Sequence, residues 1–182
     1  MQYDLQDLAI IHYPDPRLRK KCAPITEFNG DLAALAERMH QLMQDGKGVG
    51  LAAPQVGLLI RMFAMNPTGE PEDALTPVNP VISDRAGGAE REEGCLSLPS
   101  VYVQVHRPET CMVTAQTVAG DTIEMEAENM IARVAQHETD HLNGKLILDR
   151  MGPADKIATR KTLQALEQNY KKFGRGKGGL RT

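Results

Sequence analysis

Residues 130–144 read Met-Ile-Ala-Arg-Val-Ala-Gln-His-Glu-Thr-Asp-His-Leu-Asn-Gly, and a helical period and a metal-ligand spacing meet in them. Met130, Ile131, Val134 and Ala135 recur as an apolar stripe, and Gly144 stands where a left-handed cap would end the helix. The pattern predicts a helix from about Glu126 to Asn143. Near its end, His137-Glu138-Thr139-Asp140-His141 fits H-E-x-x-H. Positions i and i+4 share a helix face, so both imidazoles can reach one ion, and Glu138 is near enough to meet a water there.

Strands precede this helix. Ile123 and Met125 alternate with Glu124 and Glu126 after an Ala119-Gly120-Asp121 turn, and residues 110–118 pair with them as a predicted hairpin. Val101, Val103 and Val105 alternate with Tyr102, Gln104 and His106, another strand signal. Further strands are predicted over Leu58–Met65 and Val78–Ile82, with residues 83–94 polar and Gly-rich. Leu32, Leu35, Ala36, Met39, Leu42 and Met43 predict an early helix, entered at Asn29 to Asp31 and stopped at Asp45-Gly46. A last helix is predicted over Ala154 to Phe173, with Ile157, Leu163, Leu166, Tyr170 and Phe173 on one side. Helices at the ends with strands between them argue an α+β fold. Residues 1–173 read as one catalytic domain, and 174–182 as a flexible, basic, Gly-rich tail.

The 182 residues carry 21 Lys+Arg against 24 Asp+Glu, a net charge of −3, which argues against broad nucleic-acid binding and any specific DNA role. Aromatics are 4% with no Trp, so a base-stacking platform is not expected either. The apolar runs are far short of a membrane span, and the N-terminus lacks the basic start of a signal peptide. Three cysteines, Cys22, Cys95 and Cys111, are too few and odd in number for a disulfide framework, which favours a reducing compartment, the cytoplasm.

Two histidines leave a catalytic ion one protein ligand short. The longer signature with a third histidine fails at Ile147, although Gly144 fits it. Glu167 is a carboxylate candidate on the last helix, where a solvated charge would read the same way. Cys95 is the better choice: it lies in Glu93-Gly94-Cys95-Leu96-Ser97-Leu98-Pro99, which could cross the ligand helix, and a thiolate suits a dication. Its plain alternative is a small buried hydrophobe. Cys22, Cys111, His12, His40 and His106 are read as structural.

Three segments stand together: Gly48-Val49-Gly50-Leu51-Ala52-Ala53-Pro54-Gln55, Glu93 to Pro99, and Gln136 to Gly144. In this order and spacing the chain resembles the peptide deformylases, whose motifs read G-x-G-L-A-A-x-Q, E-G-C-L-S and Q-H-E-x-D-H. The resemblance runs over roughly residues 8–170, and it implies an α+β fold of mixed or antiparallel β-sheets packed around a central metal-ligand helix, with N- and C-terminal helices. It implies that the chain hydrolyses the N-formyl group from formyl-methionyl nascent peptides. The last helix and the basic stretch from Lys171 to Arg181 make a transient ribosome contact a further candidate. By the same resemblance Cys95, His137 and His141 bind one divalent metal, Fe²⁺ in the cell and Zn²⁺ or Ni²⁺ as isolated. Glu138 would be the general acid/base, and Gln55 with the Leu96 N–H the oxyanion hole. Val49, Met130, Val134 and the His137 ring would take the methionine side chain, while Gly50, Glu93 and Gly94 would meet the peptide. Asp140, with Arg107 as its candidate partner, would orient the ligands. Asn129, where the family often has Gly, and Lys47 depart from the pattern. A zinc peptidase cutting internal bonds leaves the Gln55 segment unexplained, and a non-catalytic metal-stabilised adaptor has no use for Glu138.

Overall fold

A computed structural model describes residues 5–173; the basic tail predicted over 174–182 lies outside them. The N-terminal helix α1 spans Gly30–Asp45 and is capped by the Asn29 side chain, which accepts from Leu32 N–H at 3.2 Å. Two short strands follow, β1 (Gly50–Ala52) and β2 (Phe63–Met65), paired antiparallel. Next come β3 (Val78–Ala86), β4 (Ala89–Cys95), β5 (Leu98–Arg107), β6 (Thr110–Gln116) and β7 (Thr122–Glu128). The helix α2 (Asn129–Leu142) and the helix α3 (Pro153–Phe173) complete the chain.

Strands β3, β6 and β7 form one antiparallel sheet in the order β3-β6-β7, and β4 pairs with β5 as a separate two-stranded ribbon. All named strands pair antiparallel; the one parallel element among the described residues is an isolated bridge between Ala23 and Ile60. One apolar cluster joins α1 to β1 and β2 through Leu35, Met39, Leu51 and Ala64. A second packs Val134, Ala135 and Leu142 of α2 against Phe63, Cys111 and Val113. A third lies under β5 and includes Val101, Val103 and Val105.

Several boundaries differ from the sequence expectation. The strand predicted over Leu58–Met65 is confined to Phe63–Met65, because residues 58–62 find only single bridges and no ladder partner. Strand β3 runs on to Ala86, and residues 89–95 are the strand β4: backbone pairing with β6 and β5 outweighs the polar side chains. Residues 126–128 belong to β7, and α2 starts only at Asn129. There φ is +51°, so the chain turns into the helix through a left-handed residue. Lys47 has φ +56°. The two departures from the family pattern therefore occupy backbone conformations that favour Gly, and Asn is the cheaper substitute of the two. Ile157 is exposed rather than packed, while Leu163 and Leu166 of α3 do lie against the third cluster.

α2 is not the one-sided helix its apolar stripe suggests. From Ala132 to Leu142 every residue except half-buried His137 is buried, including Arg133, Gln136, Glu138, Thr139, Asp140 and His141, whereas Met130 is exposed. A helix with so many enclosed polar side chains must supply partners for them. Those partners are the site.

Candidate active site

Ligand atoms of Cys95, His137 and His141 all lie within 4.8 Å of one another. Cys95 arrives at the end of β4, and the two histidines from one face of α2. Cys95 Sγ is 3.3 Å from His141 Nε2, close to the spacing of about 3.5 Å that neighbouring sulfur and nitrogen ligands take around a tetrahedral ion. The ring centroids of His137 and His141 are 5.1 Å apart and edge to face. The group can hold one metal ion.

His137 is oriented from behind. Its Nδ1 is 2.9 Å from Glu93 Oε2, which leaves Nε2 for the ligand side. Burial disfavours the charged form of His137, but its hydrogen bonds with Cys95 and Glu93 and the charge of Glu138 outweigh burial and raise it to about 10. The surroundings thus favour positive charge at this point, as a cation site requires. His141 goes the other way: burial, then the charges of His137 and Arg107, push it well below its ordinary value, so it is a neutral imidazole with a lone pair to give. Among the described residues its buried Nδ1 has no hydrogen-bond partner.

Glu93 anchors a buried ionic chain. Arg107 holds both its oxygens, and Arg133 Nη1 reaches Oε1 at 2.6 Å. Arg107 also reaches Asp140 Oδ2 at 2.8 Å, the partnership expected from the sequence, and Arg150 closes on both Asp140 oxygens. Burial works against the charged carboxylates, yet His137 and Arg107 hold Glu93, and Arg150 and Arg107 hold Asp140, below the usual carboxylate range. The Glu93 carboxylate bonds His137, Arg107 and Arg133, and the residue also lines the groove where its peptide contact is expected.

Glu138 is buried beside the three ligand side chains, and its Oε2 finds no partner among the described residues. Burial pushes its carboxyl up to about 7, against the pull of the His137 and Arg107 charges. Gln55, on the 3₁₀ turn Ala53–Val56 after β1, is fixed in its amide orientation. Its Oε1 accepts from Ala52 N–H at 2.8 Å, so its Nε2 faces Ser97 Oγ at 3.2 Å and Cys95 Sγ at 3.5 Å. Gly50 must be Gly: a Cβ there would collide with Glu138 Oε1 and come within 2.9 Å of Val134 Cγ1.

These side chains open on one groove of about 620 Å³, lined by Gly50, Gln55, Leu96, Gly94, Val134 and Glu138 among others. Val49, Met130 and Tyr102 stand exposed on its rim. The sequence-predicted ligand, catalytic and substrate-contact residues line the groove except His141, which is buried in the ligand group, and the orienting pair Arg107 and Asp140 lies outside the groove lining. Glu167 takes no part: its Oε1 accepts from Tyr13 Oη at 2.9 Å. Cys22 and Cys111 are buried in the second apolar cluster, as expected. Arg133 and Ser97 are missing from the sequence reading. Arg133 lies four residues before His137, on the same helix face, which is the signal that could have found it.

A family model described as polypeptide deformylase matches residues 8–157. A peptide deformylase from Thermotoga sp. (strain RQ2) is 42% identical over 161 residues, covering 88% of this chain and 96% of that one. A plant peptide deformylase crystal structure superposes with a TM-score of 0.90 at 37% identity, covering 95% of each chain. One from Legionella pneumophila gives 0.83 at 37% identity, over 91% of this chain and 98% of that one.

Proposed function

The chain belongs to the peptide deformylase family, a hydrolase that removes the N-formyl group from newly made polypeptides and releases formate, and from that premise we propose how its residues divide the work. Cys95, His137 and His141 hold the single metal ion. A thiolate and two imidazoles, one neutral and one tied back to a carboxylate, are a donor set that suits Fe²⁺ or Zn²⁺. We assign Fe²⁺ as the metal in the cell and Zn²⁺ or Ni²⁺ as its replacements in isolated protein. Bound there, a divalent cation supplies Lewis-acid polarisation of the formyl carbonyl and eases deprotonation of the attacking water.

The chain's own groups do the rest. Glu138 takes the proton from the water as its oxygen bonds to the formyl carbon. It then delivers that proton to the departing amine nitrogen as the C–N bond breaks, leaving formate and a free N-terminus. Gln55 Nε2, held in its orientation by Ala52 N–H, and the Leu96 N–H donate to the oxyanion. Val49, Met130, Val134 and the His137 ring receive the methionine side chain. The peptide runs along the groove past Gly50 and Gly94, where missing side chains let backbones approach. We place its action in the cytoplasm and read residues 1–173 as one catalytic domain.

The observation that carries this reading is a buried carboxylate, Glu138, with an unpartnered oxygen beside a Cys-His-His ligand group at the floor of an open groove. The test is formate release from formyl-methionyl peptides under anaerobic conditions, with iron and then zinc restored, alongside unformylated peptides. Formate from the former and no cleavage of the latter is expected. Cleavage of internal bonds, or no formate at one metal per chain, would overturn it.

A further inference from the structure

The most extensive backbone contacts of α2 are with β1 and β7, followed by β2, β3, β6 and the Ala53–Val56 turn. The β4–β5 ribbon, which delivers Cys95, is tied to α2 by side-chain bonds of Glu93, Arg107 and Arg133. Arg133 Nη1 donates to Glu93 Oε1 at 2.6 Å and to the Val105 carbonyl at 3.0 Å, and its Nη2 donates to the Ala89 carbonyl at 2.7 Å. Ala89 and Glu93 lie on β4, and Val105 on β5, so one buried guanidinium touches both strands of the ribbon. The same Glu93 carboxylate bonds His137 Nδ1, and Arg133 stands one helical turn before His137.

We propose that Arg133 is a positioning residue for the metal centre: it braces the strand pair carrying Cys95 against the helix carrying His137 and His141, and it fixes the Glu93 oxygens that orient His137. Arg suits the task because its planar fork serves three acceptors in different directions with a permanent charge, which a Lys ammonium on a flexible stem does less well. Arg107, the other cation on Glu93, is the last residue of β5 and ties that end of the ribbon to Asp140 of α2. Arg133 works from the opposite side: it reaches out of α2 to the Glu93 carboxylate and to backbone carbonyls of both ribbon strands, contacts that Arg107 does not make.

The inference rests on the metal-ligand reading, so the wild-type chain is measured first for stoichiometric Co²⁺ and Zn²⁺ binding. Failure there sinks that reading and not this one alone. Arg133→Met and Arg133→Lys are then compared for metal affinity by chelator competition, for the thiolate-to-Co²⁺ absorption band, and for kcat and KM at full occupancy. Arg133→Met should lose affinity by about 10–100-fold, the usual cost of losing an outer support of a ligand. Its Co²⁺ band should shift, kcat should fall and KM should hold, with Arg133→Lys recovering part of each. If Arg133→Met does not fold, Arg133→Lys alone carries the same readouts, with smaller losses expected. Unaltered affinity and spectrum would overturn the proposal, whether the thermal midpoint falls or not. So would a change confined to KM, which would make Arg133 a substrate contact instead.

Discussion

Arg107 meets Glu93 with two parallel hydrogen bonds, Nε to Oε1 at 2.6 Å and Nη2 to Oε2 at 2.9 Å, where neither side chain is more than 5% exposed. Arg107 is the largest of the fully buried side chains among the described residues. With Asp140 on its third nitrogen it neutralises two carboxylates at once. Arg107→Met would leave both facing a low-dielectric interior with one cation fewer each. Removing one partner of a buried pair typically costs about 3–5 kcal/mol. Urea unfolding should show a loss in that range, and a loss under about 1 kcal/mol would mean that the carboxylates relax to water.

Glu138 is buried with its Oε1 directly against Gly50. Glu138→Gln keeps the shape and removes the proton acceptor. Turnover should fall about 10²–10⁴-fold, the usual weight of a positioned acid/base, while metal content stays at one per chain. Metal analysis alongside the formate assay separates this from loss of the centre: an inactive variant without metal would not support the role.

Gln55 offers a sharper substitution than truncation. In Gln55→Glu the Oε1 that accepts from Ala52 N–H survives, while the donor that faces Cys95 and Ser97 becomes an acceptor. The groove should keep its form, and the developing oxyanion should lose one donor and gain a repelling neighbour. A fall in kcat of about 10²–10³-fold or more is expected, with a crystal structure showing Ala52 N–H still bonded. A kcat within about threefold of wild type would place the oxyanion elsewhere.

Gly50→Ala tests how tightly the acid/base is packed. The new methyl can be housed only if both Glu138 and Val134 give way, or the Gly50 backbone withdraws, and both side chains belong to buried α2. Overpacking of this kind costs about 1–3 kcal/mol. Activity should fall more than stability suggests, because a displacement of the carboxylate acts directly on proton transfer. Unfolding curves and the formate assay on one preparation check this; full activity would show that the carboxylate has room to spare.

The ligand spacing on α2 was legible because two facts suffice, the i, i+4 repeat and the helix cap at Gly144, and φ there is +72° as the cap requires. Cys95 was legible as a ligand because its segment combines a glycine approach with a strand. The ionic chain was only half legible. Arg107 and Asp140 could be paired by chemistry, but nothing in the one-dimensional pattern says that Glu93, on another strand, faces Arg107, Arg133 and His137 together. That is a consequence of register: Glu93 pairs with Val103 while Arg107 pairs with Ala89, and the Arg133 side chain reaches the ribbon from α2. Boundaries of β3 and β4 failed for a related reason. Residues 83–94 have polar side chains, and their strand state is held by partners remote in sequence.

The three thiols should differ in reactivity by environment alone. Burial pushes Cys22 up to about 11 against the weaker pull of Arg61, and raises Cys111 against Arg85. At pH 8 a thiol at 11 is thiolate in about one molecule in a thousand. Both are also walled in by the second apolar cluster. Cys95 is half-buried and opens on the groove. Iodoacetamide with metal-free protein at pH 8 should therefore label Cys95 and leave Cys22 and Cys111 unmodified until denaturant is added. Restoring Zn²⁺ before the reagent should slow Cys95 labelling strongly, because a sulfur committed to a cation is a poor nucleophile and the groove floor is then closed to alkylation. Peptide mapping by mass spectrometry reads all three sites at once. Labelling of Cys95 at the same rate with and without Zn²⁺ would mean that its sulfur is not a ligand, and rapid labelling of Cys22 would mean that the packing of α2 against the strands opens far more often than a buried core allows.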